Sequence, residues 1–314
     1  MNKTSVLLAF VANPFLAVFM KNNYLNFWKD EVDEVLININ GRNKMIVDFI
    51  VSLWNEDNKV KFIDVVDREM RQGDAFDRIY PKATGDILMT IDSDNYVYKK
   101  GVVSRYVNWV REGKFDAIGS RGHHAYPAEV SDILVNKYGI IRLNPFMSFW
   151  RRDLVEKMDV ITFRTYNYKA GEKFEPIGTF LLDGWMDCMA RFSLQYWQFT
   201  KNYKVIDPTF QGEYVHMSGV SSVFRRNFKG LEDNDGQKYN EKHLNKQKIY
   251  FWALYYLLYE ATKNEIPFED YKKEYERGFE YILKESDIPL DYVKTNADEF
   301  KGKHKPLFVR PIET

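Results

Sequence analysis

The sequence predicts an α/β fold, a mostly parallel sheet flanked by helices, and three observations lead there. Apolar runs of strand length alternate with segments of helical apolar spacing through the first ~90 residues. The fourth of these runs leads straight into Asp92-Ser93-Asp94. After Asp233-Asn234-Asp235-Gly236 the alternation stops and the chain turns helical.

Ser5 to Val11 (SVLLAFV), closed by Asn13-Pro14, reads as a strand buried on both faces. Phe15 to Trp28 has helical spacing, and Glu34 to Asn40 is a second apolar run ended by Gly41. The cycle repeats with a helix at Met45 to Asn55 and a strand at Lys59 to Val66. A helix at Gly73 to Ala83, broken by Pro81, then leads to a strand at Asp86 to Ile91. Next come a helix at Val102 to Glu112, a strand at Phe115 to Gly119 and the polar loop Ser120 to His124. Phe146 to Trp150 is apolar and leads into a short helix at Arg152 to Met158. Thr162 to Glu175, rich in Tyr and Lys, reads as a loop or hairpin. Asp183 to Phe199 has helical spacing, and Tyr203 to Ile206 is a strand before Pro208. Lys246 to Ala261 is a helix dense in aromatic residues and Phe268 to Glu285 an amphipathic one. Asp287 to Thr314, with three prolines and no clear period, is expected to wrap the surface. The chain thus divides into residues 1–232, a catalytic domain, and 233–314, a helical extension and tail.

Composition narrows the function classes. A chain of 314 residues with 45% hydrophobic content can bury a core. Lys plus Arg equals Asp plus Glu at 45 each, so no overall field draws the protein to nucleic acid or an anionic membrane, and such binding would need a local patch. The single cysteine, Cys188, excludes an internal disulfide and a cysteine zinc cluster, and it suits a cytoplasmic location. Met1 to Met20 has the apolar run of a leader, but Asn13-Pro14 interrupts it and no small-residue cleavage site follows. A buried first strand is the better reading. No run reaches the ~18 apolar residues of a membrane span.

Asp92 and Asp94, one residue apart in an extended segment, point to the same side of the chain. Two carboxylates there can share a hard cation, Mn²⁺ or Mg²⁺, that keeps positions open for phosphate oxygens. Such a cation neutralises charge on a nucleoside-diphosphate leaving group. Acidic residues beyond the carboxyl end of a parallel strand are placed for chemistry rather than packing.

With Pro81-Lys82-Ala83-Thr84-Gly85 in front of it, Asp86 to Asp94 resembles the Asp-x-Asp segment of GT-A-fold, family-2-like glycosyltransferases. Asn144 to Asp153 is similar to that family's acceptor-side segment, and Tyr214-Val215-His216 resembles its late element ending in His. The likeness spans about residues 4 to 222 in order of elements. It implies a Rossmann-like GT-A domain in which Asp92 contacts the ribose or metal, Asp94 coordinates the metal on the diphosphate, and His216 completes the metal shell. Ser93 lies between them in the donor segment. Ala12-Asn13-Pro14 stands where that family's donor base usually docks, and Asp67, Arg71 and Asp74 are further candidates for nucleotide contact, with plain surface charge as the alternative. Leu182 to Arg191 resembles the element bearing the catalytic base but lacks the family's adjacent acidic pair, leaving Asp183 and Asp187 as candidates. Asp183 stands at a helix N-cap position, whereas Asp187 has the better spacing to Arg191. His123 and His124 are adjacent and would point apart in a strand, so they do not form a shared metal site.

The expected activity is transfer of a sugar from a nucleoside-diphosphate sugar, a UDP-sugar first among them, to an acceptor hydroxyl with inversion. The alternatives are a retaining transferase, a sugar-phosphate nucleotidyltransferase and a binding module that has lost catalysis. The Gly-rich, Arg-Lys-containing loop that a nucleotidyltransferase carries after its first strand is missing from Ala12 to Met20. The acceptor stays open among a glycan precursor, a metabolite, a protein and a modified DNA base. The aromatic C-terminal helices (Tyr250, Trp252, Tyr255, Tyr256, with Lys246 and Lys248) are expected to pack on the catalytic domain. The other readings are an acceptor platform, a membrane-contact face or the interface of a homo-oligomer.

Overall fold

The computed structural model describes residues 3–41, 43–66, 72–121, 141–174, 178–181, 183–206, 213–217, 249–285 and 287–308. Seven strands form the central sheet: β1 (Thr4–Val11), β2 (Glu34–Asn40), β3 (Val60–Val66), β4 (Ile87–Asp92), β6 (Ala117–Arg121), β7 (Leu143–Arg151) and β12 (Tyr203–Ile206), in the order β12-β6-β7-β4-β1-β2-β3. All neighbours are parallel except β7, which runs antiparallel to both β4 and β6. The mostly parallel, helix-flanked sheet of the sequence reading is thus observed. The apolar run at Phe146 to Trp150 is the middle of β7, whose direction no local signal encodes.

The continuous apolar runs follow from burial on both faces. Val6, Leu8 and Phe10 of β1 share one cluster with Val35, Ile37 and Ile39 of β2 and Met89 and Ile91 of β4. Their alternate neighbours Leu7, Ala9, Leu36 and Leu88 face a second cluster on the other side. The first face is covered by α1 (Pro14–Asn23), α2 (Lys44–Trp54) and α4 (Val102–Arg111), and the second by α3 (Gln72–Ile79), the short α5 (Arg152–Val155) and α6 (Ala190–Tyr196). Asn13 caps α1, its Oδ1 accepting from the Leu16 amide at 3.0 Å, and Pro14 opens the helix with the fixed φ that position favours.

At the amino ends of the strands a buried carboxylate ties three segments together. Glu34 Oε1 accepts from Ser5 Oγ of β1 at 2.6 Å, and from the Thr84 amide and hydroxyl at 2.7 and 2.8 Å, while Lys61 Nζ of β3 meets Oε2 at 2.7 Å. Burial pushes its pKa up, but the Lys61 ammonium and the hydroxyl and amide donors outweigh it and bring the group down to about 2.

The C-terminal region is helical, with α7 (Ile249–Thr262), α8 (Glu269–Glu285) and α9 (Leu290–Lys303). Trp252 and Tyr255 are buried in the core, Tyr255 stacks on Tyr275 at 4.1 Å, and Phe15 of α1 meets Tyr275 at 4.4 Å. These two α7 rings therefore belong to the interior and are not available to an acceptor, a membrane or a second copy. Lys246, Lys248 and the Tyr250 side chain lie outside the described residues.

Two expectations about elements are corrected. Residues 290–303, read as aperiodic, form a helix whose narrow stripe of Val293, Ala297 and Phe300 is buried. Three apolar positions among polar ones give too weak a period to read locally. Asp183 to Phe199, read as helical, is instead a strand followed by a shorter helix: β11 (Gly184–Met186) pairs antiparallel with β8 (Tyr166–Tyr168), and α6 starts only at Ala190 after Met189 at φ 63°. Asp183 is consequently no helix cap. The Tyr- and Lys-rich stretch before it contains β8 and β9 (Lys173–Phe174), the latter paired with β10 (Gly178–Thr179).

Candidate metal and donor site

β4 carries its last residue, Asp92, to the carboxyl edge of the sheet, and the chain turns through Ser93 and Asp94 into the short strand β5 (Asn95–Val97). β5 pairs antiparallel with β13 (Tyr214–His216), which sets His216 opposite Asn95, and the Met217 amide donates to the Asp94 carbonyl at 2.8 Å. The turn is fixed from two further sides. Tyr96 Oη donates to the Ser93 carbonyl at 2.9 Å, and Asn95 Nδ2 to the Phe146 carbonyl of β7 at 2.6 Å.

Here His216 Nε2 lies 3.2 Å from Asp94 Oδ1 and 4.0 Å from Asp92 Oδ2, with its ring stacked on Phe146 at 3.6 Å between centroids. One ligand atom from each of Asp92, Asp94 and His216 falls within 4.8 Å of the other two. All three side chains are largely buried, and Asp92 Oδ1 has no hydrogen-bond partner among the described residues. Burial and the neighbouring Asp94 carboxylate push the Asp92 pKa up, against the opposing pull of His216 and Arg142. Burial pushes His216 down, but the Asp94 and Asp92 carboxylates outweigh it and its pKa is raised. An orphaned buried carboxylate oxygen beside a second carboxylate and an imidazole is a poor arrangement for protein alone and a good one for a divalent cation. Mn²⁺ and Mg²⁺ both fit its oxygen donors.

Sequence reasoning missed Arg142, just ahead of β7. Its guanidinium is buried, with Nη2 2.5 Å from the Cys188 carbonyl and 3.1 Å from Asp187 Oδ2, while Nε has no partner. Its charge also reaches Asp92. One signal was present: an arginine inside the apolar stretch Ile140-Ile141-Arg142-Leu143 has to be buried with its charge answered.

The two carboxylates considered for the base are in different surroundings. Asp187 is half-exposed, its Oδ1 accepting from the Cys188 amide at 2.7 Å and its Oδ2 facing Arg142, and its charge acts on Asp92. Arg191, the expected i+4 partner, instead lies over the Tyr166 ring at 4.6 Å. Asp183 is exposed and bound to Lys169 Nζ and the Ala170 amide, both at 2.8 Å, and that lysine holds its carboxyl below the usual range.

Ala12, Asn13 and Pro14 form the buried junction between β1 and α1. The Ala12 amide donates to the Asn40 carbonyl, and a Cβ at Gly41 would fall 2.1 Å from that of Ala12. Gly41 therefore lets the β1 and β2 ends close together. Asp74 of α3 pairs with Arg164 at 2.7 Å. Asp67, Arg71, His123 and His124 lie outside the described residues.

No family model and no curated protein matches the chain. Among solved structures it is similar to the mannosyltransferase PcManGT from Pyrobaculum calidifontis, solved in complex with GDP-Man and Mn²⁺. That similarity has 11% identity and a TM-score of 0.45, covering 96% of this chain and 75% of that one. It is also similar to TarS 1-349 from S. aureus in complex with UDP-GlcNAc, with 12% identity, a TM-score of 0.44 and coverage of 96% and 90%. These likenesses are distant.

Proposed function

We propose that this protein is a metal-dependent glycosyltransferase. It moves a sugar from a nucleoside-diphosphate sugar, a UDP-sugar first among the candidates, to an acceptor hydroxyl with inversion. The observation that carries the reading is the buried Asp92–Asp94–His216 cluster at the carboxyl end of β4, with one Asp92 oxygen left without a partner. Asp92, Asp94 and His216 would hold Mn²⁺ or Mg²⁺, which when bound supplies charge neutralisation to the departing diphosphate.

Asp187 is the general base in this reading. It takes the proton of the acceptor hydroxyl as that oxygen attacks the anomeric carbon. The glycosyl–phosphate bond breaks on the opposite face and its electron pair leaves with the nucleoside diphosphate. Arg142 and the Cys188 amide each hold one Asp187 oxygen, which fixes the carboxylate's direction. Asp183 is anchored in the same manner by Lys169 and the Ala170 amide, but at the surface, whereas the partner of Asp187 is a buried arginine whose charge also reaches Asp92.

The test is a panel of UDP-, GDP- and other nucleotide sugars with Mn²⁺ or with chelator, following nucleotide release. Metal-dependent release from one donor, lost in Asp94→Ala, supports the proposal. Release indifferent to both metal and Asp94 would sink it.

A further inference from the structure

Beside the proposed base the β8/β11 ribbon turns one face to solvent. Alternation along β11 sends Met186 into the core and leaves Trp185 56% exposed, a large apolar surface. Asn167 of β8 is the cross-strand partner of Trp185 and is also exposed. One step further along the same face, Lys169 and Asp183 close an exposed ion pair at 2.8 Å. Two residues beyond Trp185 in the other direction, just past the end of β11, is the half-exposed Asp187, whose Oδ2 turns to Arg142. The ribbon face therefore carries an ion pair and an indole with an amide, and the carboxylate follows at its end.

We propose that this ribbon face is the acceptor platform and that its occupant is a neutral sugar ring, so that the acceptor is a glycan or glycoside. A pyranose has a flat C–H face that suits an indole and a rim of hydroxyls that need donors and acceptors. Trp185 takes the C–H face, and Asn167 takes hydroxyls from the side, offering both amide donor and acceptor. A ring seated on Trp185 then lies close to Asp187, two residues on in the chain. Charge selects against the other flat ligand, a nucleobase within a strand. The three charged side chains of the face and its end, Lys169, Asp183 and Asp187, sum to one negative charge, whereas single-stranded nucleic acid is held by a positive groove. The inference rests on the proposed function only in taking Asp187 as the base.

Saturation-transfer NMR with the methyl glycosides of glucose, galactose, mannose and N-acetylglucosamine tests it on the full chain. Transfer to the ring protons of at least one glycoside is expected with the natural protein, to be lost in Trp185→Ala and retained in Trp185→Phe. Trp185→Ala should also raise the acceptor KM at least tenfold with a smaller change in kcat. The platform is overturned if none of the four glycosides binds, if binding survives Trp185→Ala with equal intensity, or if a thymidine decanucleotide binds through Trp185 in their place. Trp185-dependent glycoside binding without metal-dependent turnover of any nucleotide sugar would uphold the platform and overturn the proposed function instead.

Discussion

Two buried carboxylates at opposite ends of the same sheet solve one physical problem in opposite ways. Glu34, at the amino ends of the strands, accepts from Ser5 and from both donors of Thr84 and meets Lys61, and its pKa falls to about 2. Asp92, at the carboxyl end of β4, sits beside another carboxylate with one oxygen unpartnered, and its pKa rises. The chain satisfies the first completely and leaves the second short of positive charge. In the proposed reading a site kept short in this way is a stability cost retained for a ligand, and the contrast separates the end of the sheet that holds the fold from the end proposed to do chemistry.

The comparison can be broken most directly at the metal cluster. Asp94→Ala should lower transfer about 100- to 1,000-fold, as loss of a main transition-state charge contact does, while metal-free thermal stability changes little because relief of the repulsion with Asp92 is offset by loss of the His216 contact. A substantial fall in Tm would mean that the cluster is structural. Asp187→Asn should cost about 100- to 10,000-fold in kcat, the range of a general base, measured with saturating donor. Asp183→Asn should stay within about threefold in the same assay, since its partners are a surface lysine and a turn amide. Equal losses from the two variants would remove the assignment of the base.

The acid dependence of the two ends sharpens the contrast. Metal binding has to displace protons from Asp92 and His216, whose pKa values are both raised, so Mn²⁺ affinity by calorimetry should weaken about tenfold from pH 8 to pH 6. Glu34 behaves in the opposite sense. Its folded pKa of about 2 lies below its ordinary 4.5, so its contribution is present above pH ~4.5 and disappears as pH falls towards 2. That contribution is about 3 kcal/mol, the free-energy equivalent of the shift. Glu34→Ala, which strands the Ser5, Thr84 and Lys61 donors, should lower Tm by about 5–10 °C at pH 7 and by about half as much at pH 3, with turnover per folded molecule preserved. An equal Tm loss at both pH values would show that packing, not charge, holds this junction.

Much of this was legible locally. Ser5 to Val11 and Glu34 to Asn40 read as doubly buried strands because burial on both faces leaves no polar position inside the run. Asp92-Ser93-Asp94 stood out because it ends such a run. The ribbon around Trp185 was misread because its apolar residues also fit helical spacing. What decides the matter is that Met186 goes inward and Trp185 outward against β8, a pairing between segments. Arg142 was missed because its partners, Asp187 and the Cys188 carbonyl, lie more than forty positions away in sequence.

The sequence by itself determined the alternation of strands and helices, the acidic turn after β4 and the capped entry into α1, because each depends on residues within a few positions of one another. Only the tertiary structure decided the antiparallel direction of β7, the seating of His216 beside Asp94 through β13, and the anchoring of Asp187 by Arg142. Those features arise from contacts between residues far apart in the chain, where periodicity and local propensity carry no information.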